Sequence, residues 1–562
     1  MSLWKKKRNH LNKQKKNNQV PHVQLEKYEN KEVSGDLSET IAFINKVIGE
    51  NTDFIVRKIT IFGTFKVAVF YISNLINVSS VNEDVLRPLL YPPQHVNVKE
   101  INNSNIIQLL EEEVLYHSEI KQESKVNELI EAMLSGETVI AIDGVQEAFR
   151  IDTREVEKRS ITSPETEQVI IGPREGFIER LGTNIGLLRY RLPSSDFCVK
   201  TMTVGRITKT KVAICYLKGI ANPVLIEEVE QRLKKIDIDA ILDAGYLEQF
   251  LEDNHLTPFP QTLLTERPDS TVGNLIEGRV AVLLDGSPFA LLVPVVFSQF
   301  YQASEDYSSR FVLGSFIRLV RMLALVFSLV FPSLYVSFIS FNPELLPTEF
   351  AVAVAGGRAG VPYPAVVEVL IMEGAMEILR EATVRLPKQI GGALSIVGVL
   401  IIGQAAVEAG LSSPITVVVI AMTTIGSFAT PVYGASFALR MLRFPLVILA
   451  GIFGLYGIMI GLIVILNHML SLKSYGIPYM SPVSPGNPEG MKDVIIRFPF
   501  QWMPRRPIIF HPENDIRVGM NKEIQTESNN PLDIPLENKG KDDQKGDKDK
   551  GNNTSTNGNN TN

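Results

Sequence analysis

Two cysteines, Cys198 and Cys215, occur in 562 residues. That excludes a disulfide framework and makes a reducing compartment the natural home of the N-terminal part. Seven histidines are scattered without HxxxH, CxxC or HExxH spacing, so metal chemistry has no support. Walker A, GxGxxG and GxSxG patterns are all missing. Neither an enzyme nor a cofactor is implied. Lys and Arg total 56 against 62 Asp and Glu, and a formal net charge of -6 argues against a nucleic-acid partner. No apolar h-region follows the basic N-terminus before Ile41, which excludes a secretory signal there.

Long apolar runs are what the chain does have. Met322–Phe341, Gln389–Val407, Ala409–Leu439 and Phe444–Leu472 carry no charge. About 20 helical residues cross a bilayer, and only helices or closed barrels satisfy their backbone inside one. The pattern predicts a transmembrane helical domain over residues 311–472, after a large polar region. A Pro-rich packed segment, 473–512, and an Asn/Lys/Asp/Gly-rich tail, 513–562, follow; the tail cannot bury enough apolar area to fold. At the other end residues 1–38 read as a disordered basic arm, with Lys5, Lys6, Lys7 and Arg8 also suited to anionic lipid headgroups.

The polar region contains an internal repeat. Lys66-Val-Ala-Val-Phe-Tyr-Ile72 is echoed by Lys211-Val-Ala-Ile-Cys-Tyr-Leu217. Gly136-Glu-Thr-Val-Ile-Ala-Ile-Asp-Gly144 is echoed by Gly278-Arg-Val-Ala-Val-Leu-Leu-Asp-Gly286, so the two spacings are 145 and 142. Amphipathic helices are expected after each first element, at Val81–Leu90 and Leu225–Ile236. Strand-like runs alternating with helices predict two tandem, similar α/β subdomains, 41–155 and 174–300, joined by a linker, 156–173. Asp143-Gly144 and Asp285-Gly286 supply the positive φ of tight hairpin turns.

Topology stays open at this level. Arg318 and Arg321 precede the first span and Glu344 and Glu349 follow it, so the positive-inside rule puts the polar region in the cytosol. Residues 348–385 mix Glu349, Arg358, Glu368, Glu373 and Glu377 with Gly356-Gly357 and Pro362-Tyr363-Pro364. They read as two half-helices, re-entrant or interfacial, rather than a plain span. Four crossings would return the C-terminus to the cytosol and five would leave it outside. Arg380, Arg385 and Lys388 favour the second, Lys492, Arg497, Arg505 and Arg506 the first.

Two blocks carry a family resemblance. The first runs from Gly172-Pro-Arg-Glu-Gly-Phe-Ile-Glu-Arg180 through Ile238-Asp-Ala-Ile-Leu-Asp-Ala-Gly-Tyr246, Pro258-Phe-Pro-Gln261 and Thr265-Glu-Arg-Pro-Asp269 to Asp285-Gly-Ser-Pro-Phe289. The second is Gly360-Val-Pro-Tyr-Pro364 with Glu368, Met372-Glu373, Glu377-Ile-Leu-Arg-Glu381 and Arg385-Leu-Pro387. Over roughly residues 45–510 the chain resembles the A subunit of GerA-type spore germination receptors. The resemblance implies a multi-pass protein of the spore inner membrane. It implies a transporter-like B subunit and a lipoprotein C subunit as partners, besides membrane lipid, and a homo-oligomer forming a nutrient-gated cation channel. A non-conducting scaffold and a paralogue that amplifies ion release are the alternatives.

Three sets of residues are the candidate sites. Gly398, Ala405 and neighbouring small residues of Gln389–Val407 suit either close helix packing or a pore wall, with Gln404 and Glu408 near one mouth. Glu368, Glu373 and Glu377 either form cation-attracting rings or pair with Arg358 and Arg380 in a buried network. Arg174 and Glu175, with Glu266, Arg267 and Asp269, read as ion-paired turns, or as subunit contacts.

Overall fold

β-Branched and aromatic residues crowd both copies of the repeat, and both build the same sheet. The computed structural model describes residues 25, 28, 31–91, 101, 105–115, 120–155, 163–384 and 401–518. In the first copy, helix α1 (Leu37–Ile48) is capped by Asp36, whose side chain accepts from the Ser38 N–H. Strands β1 (Phe54–Ile61), β2 (Phe65–Ile72) and β3 (Ile120–Glu123), helix α2 (Val126–Leu134), and strands β4 (Glu137–Ile142) and β5 (Ala148–Asp152) follow. The second copy holds α3 (Leu181–Arg191), β6 (Phe197–Val204), β7 (Thr210–Leu217), α4 (Pro223–Lys234), α5 (Ala244–Leu251), β8 (Leu263–Thr265), α6 (Pro268–Ile276), β9 (Val280–Leu284) and β10 (Ala290–Val293). The two five-stranded sheets run β1-β2-β4-β5-β3 and β6-β7-β9-β10-β8, the same order.

Every pairing in both sheets is antiparallel. The central strands nevertheless lack the alternation of a one-sided sheet, because helices cover both faces. Ala68, Phe70 and Ile72 of β2 pack with α1 and α2, while Val67, Val69 and Tyr71 pack with helical turns at 78–90 and 106–114. In β7, Ala213, Cys215 and Leu217 face α3, and Val212, Ile214 and Tyr216 face α4 and α5.

The Asp-Gly pairs turn their hairpins with Gly144 at φ 84° and Gly286 at φ 91°. They also do something the turn reading omits. The Asp143 carboxylate accepts from the Leu37 N–H at 3.2 Å and Asp285 from the Leu181 N–H at 3.1 Å, so each caps the first helix of its own copy. A buried contact locks the copies together. Arg189 donates to both oxygens of Asp53 at 2.6 and 2.7 Å and to Asn51 at 2.9 Å, and Asn51 in turn accepts from the Val199 N–H.

Helices α7 (Phe311–Ser340), α8 (Thr348–Arg358), α9 (Ala365–Val384), α10 (Pro414–Phe428), α11 (Tyr433–Phe453) and α12 (Leu455–Ser471) make the apolar part. Of these α7 and α11 are long and apolar enough to cross a membrane; α10 and α12 are apolar but shorter. The charge-free runs do not coincide with helices. Ala409–Leu439 is interrupted before Pro414 and again between Phe428 and Tyr433, and Phe444–Leu472 breaks at Gly454, which adopts φ 61°. Apolarity marks what lipid tolerates, whereas Pro and positive-φ Gly set where a helix stops.

Contacts fix the helix directions. A Cβ at Gly434, in the first turn of α11, would lie 3.7 Å from Pro260 of the second copy, and one at Gly454 would lie 3.0 Å from Phe341, beyond α7. So α7 and α11 both run away from the second copy. Helix α9 is a continuous helix antiparallel to α11, with Val366 against Gly451 and Glu377 near Arg440. The half-helix expectation therefore holds for short α8 and not for α9, whose interior lacks Pro. After Ser471 the chain returns to the second copy. The Ser474 hydroxyl receives the Val295 N–H, the Tyr479 carbonyl receives the Phe297 N–H, and Arg506 donates to the Ile276 carbonyl. Residues 473–518 thus lie on the same side as the sheets.

Removing one partner of a buried pair strands the other's charge, at a cost of about 3–5 kcal/mol. Arg189→Met should therefore lower the thermal unfolding midpoint of the full chain strongly. Adding Asp53→Leu should restore most of the loss; no restoration would mean that the pair does not join the copies.

Candidate functional site: buried charges in the helical bundle

Three carboxylates of α9 meet their counter-ions inside one chain. Glu368 is fully buried; it receives Arg358 Nε at 3.2 Å, the Ser413 N–H at 2.6 Å and the Ser412 hydroxyl at 3.2 Å. The Ser413 N–H opens α10, so the carboxylate also meets that helix's positive end. Next to it Tyr335 of α7 hydrogen-bonds Thr416 at 2.7 Å. Arg443 of α11 donates to Glu373 at 2.7 Å. At the end nearer the sheets Glu377 lies 3.4 Å from Arg380 and 3.8 Å from Arg440, and Arg380 also donates to Ser427. Burying such groups is tolerable only where their charges are paired. These pairs bind α9 to α8, α10 and α11.

The helical stretch at 401–408 is divided differently. Gly403 and Ala406 turn inward, with the Gly403 Cβ position 3.1 Å from Val417. Gln404, Ala405 and Glu408 are exposed, and the Gln404 amide donates to Glu408 at 2.9 Å. Gly398 lies outside the described residues, as does most of Gln389–Val407. A second cluster ties α7 to the rest. Arg318, fully buried, binds Asp306 at 3.2 Å and Asp493 at 2.8 Å, and Arg321 binds Asp306 at 3.1 Å. Tyr307 donates to Asp493 at 2.8 Å, and burial raises its phenol well above the ordinary range. Arg497 donates to the Asp306 and Ser309 carbonyls. Arg318 and Arg321 are thus held in place by carboxylate counter-ions. Asp306 and Asp493 were missed from sequence, and Arg497 was read only as a flanking charge; two arginines three apart in an apolar helix were the available hint that counter-ions exist.

Four of the five motif residues bond within the chain. Glu266 accepts from the backbone of Glu165 and Thr166, Arg267 donates to the Pro173 carbonyl and to Asp269, and Glu175 pairs with Arg191. Together they fasten residues 165–175 to the second copy. Arg174 is exposed and pairs with no described residue. Among the described residues there is no His, Cys, Asp and Glu group able to hold a metal.

Two acids sit where the second copy meets the bundle. Glu248 accepts from Thr262 and Glu252 from the Gln261 N–H, each at 2.7 Å, while the Gln261 carbonyl receives Ser474. Burial raises the carboxyl of Glu248 and pushes that of Glu252 up to about 7.

Comparison with known proteins places these features in context. The chain matches the family described as Bacillus/Clostridium GerA spore germination protein over residues 42–509. Spore germination protein KA of Bacillus subtilis (strain 168) is 42% identical over 492 residues, 87% of this chain and 89% of the relative. Spore germination protein GerLA of Bacillus cereus is 38% identical, covering 85% and 96%. The Bacillus subtilis membrane protein YfkQ is 36% identical, covering 90% and 98%. A crystal structure of the N-terminal domain of the A subunit of the Bacillus megaterium germinant receptor GerK3 is 31% identical. It covers 48% of this chain and 98% of that domain, with a TM-score of 0.39.

Two outcomes follow from the buried charges. Arg443→Leu should destabilise the bundle by about 3–5 kcal/mol, read as a lower thermal midpoint in detergent, and Glu373→Leu added to it should recover much of that. An undiminished deficit in the double variant would contradict a pairwise contact. The second concerns pH. Glu252 holds its proton more tightly folded than unfolded, so the stability it contributes is full below about 4.5 and lost as pH rises through about 7. Glu252→Gln should flatten the fall in unfolding midpoint between pH 5 and pH 8; an unchanged slope would put the titration elsewhere.

Proposed function

Because this chain belongs to the GerA family of spore germination proteins, we propose that it works as a nutrient germinant receptor's A subunit. Copies of it oligomerise in the spore inner membrane into a gated cation channel, whose opening starts germination. A transporter-like B subunit carries the nutrient site and a lipoprotein C subunit completes the receptor, as the family implies. No covalent chemistry is assigned to the chain.

One observation carries the conducting role. Gln404 and Glu408 lie exposed on the protomer, on a stretch flanked by apolar helices. An amide and a carboxylate at such a place are costly against hydrocarbon, so they face water or another protein. A homo-oligomer gathers these faces, where a carboxylate in each copy attracts cations and Ala405 leaves room for passage. Inward Gly403 and Ala406 hold the stretch against α10, and the paired glutamates of α9 brace it from behind rather than lining the path.

The protein is multi-pass in this reading. Helices α7 and α11 lead away from the sheets, α9, α10 and α12 lead back, and the polar region and residues 473–518 share one side. That side is the cytosol. The buried free thiols Cys198 and Cys215 suit a reducing compartment, and Lys492, Arg505 and Arg517 lie there while Glu344 and Glu349 lie opposite.

Flux from potassium-loaded liposomes carrying the purified full chain tests the proposal. The expected result is potassium release above that of protein-free vesicles, lowered by Glu408→Gln and blocked or made constitutive by Gly398→Leu or Ala405→Leu. Folded, oligomeric protein that releases no more potassium than empty vesicles would leave the non-conducting scaffold as the better reading.

A further inference from the structure

Where the second copy meets the bundle, a short loop after α5 is held rigidly yet ends in an unprotected apolar side chain. Leu256 is 95% exposed. Everything around it is tied down. Asp253 pairs with Arg232, the Asn254 N–H and carbonyl bond both ends of the Gln261 amide, and the Leu256 N–H donates to Asn254 at 3.0 Å. Thr257 hydrogen-bonds His468, in the last turn of α12, at 2.9 Å. Phe259, beneath the loop, is buried between His468 and Tyr479. A leucine on a loose loop would need no explanation; this one is presented by a loop bonded on both sides of it.

Its level is set by the bundle. His468 belongs to the same helix end as Leu466 and Leu470, each 50% exposed, and Gly434 beside Pro260 adjoins Tyr433, 60% exposed. Leu256 therefore continues the outward apolar belt of α11 and α12 at its sheet-side rim. On α5 exposed Tyr246 and Phe250 lie four residues apart, extending apolar surface towards the loop. A tyrosine and short apolar side chains at this height match the boundary between headgroups and acyl chains.

We propose that the loop 253–257 is a lipid anchor, with Leu256 inserted into the interfacial layer of the leaflet on the sheet side. The partner is the bilayer itself, and the inference rests on reading α12 as membrane-embedded. Anchoring there fixes the height and tilt of the second copy over the membrane, so motions of that copy are delivered to α11 and α12 rather than dissipated.

A nitroxide on Leu256→Cys, in full chain reconstituted in phosphatidylcholine and phosphatidylglycerol vesicles, tests this. Cys198 and Cys215 are buried and their thiols are pushed up to about 11 and about 12, so the label goes to the new site. Ile207→Cys, on the exposed turn between β6 and β7, serves as the aqueous reference, and Ile463→Cys, on the outward face of α12, as the lipid reference. Relaxation by oxygen should exceed relaxation by a nickel chelate at 256 and 463, with the reverse at 207. Aqueous behaviour at 256 with lipid behaviour at 463 overturns the anchor alone. Shielding of 256 from both agents also overturns it, since protein then covers the loop. Aqueous behaviour at 463 overturns the membrane reading of α12 itself.

Discussion

Arg318 joins the base of α7 to the turn before it and to the distant C-terminal segment at one buried point. Its guanidinium meets the carboxylate of Asp306 before α7, and both the carboxylate and carbonyl of Asp493, which lies 175 residues further on in the returning C-terminal segment. A charge this deep is stable only while both carboxylates stay in place. The base of α7 and residues 473–518 are consequently held as one body. Arg497, reaching back to the Asp306 and Ser309 carbonyls, doubles the tie.

Hydrophobic packing runs through the same junction. Phe177, Leu188 and Leu283 of the second copy share one continuous core with Leu329, Val419 and Leu446 of the bundle. Phe259, Phe297, Phe300 and Tyr479 form its waist, their ring centroids about 6 Å apart. The first copy has separate cores of its own and touches the second through the Arg189, Asp53 and Asn51 cluster, through Thr52 on the Val199 carbonyl, and through the Glu50–Lys218 and Arg154–Tyr190 contacts. Duplication thus produced two similar sheets with different duties: one fused to the membrane part, the other docked on its partner sheet.

The repeat was readable in sequence because Lys66–Ile72 and Lys211–Leu217 keep their order of residue types, and a strand covered on both faces must keep them apolar. The antiparallel order was less readable, since β2 finds β4 some seventy residues away through packing that no local pattern encodes. Hydropathy located the bundle but mislocated helix ends, because Ala409–Leu439 and Phe444–Leu472 hide the interruptions near Pro431 and Gly454. Glu368, Glu373 and Glu377 were recognisable as costly in lipid. Their partners were recognisable only in part: Arg358 was in view, whereas Arg443 is seventy residues from Glu373. Asp306 and Asp493 lie in ordinary polar surroundings and give no sign of their role.

In this account an outward polar face on the 401–408 stretch meets the same face of other copies, while the charge network behind it holds its position. Cysteine cross-linking tests that most directly, because both native thiols are buried. Gln404→Cys, oxidised in membranes carrying the full chain, should yield a ladder of covalently linked copies, and Ile463→Cys on the outer belt should not. A ladder from Ile463→Cys with none from Gln404→Cys would contradict the account, because the polar face would then lie away from the neighbouring copies.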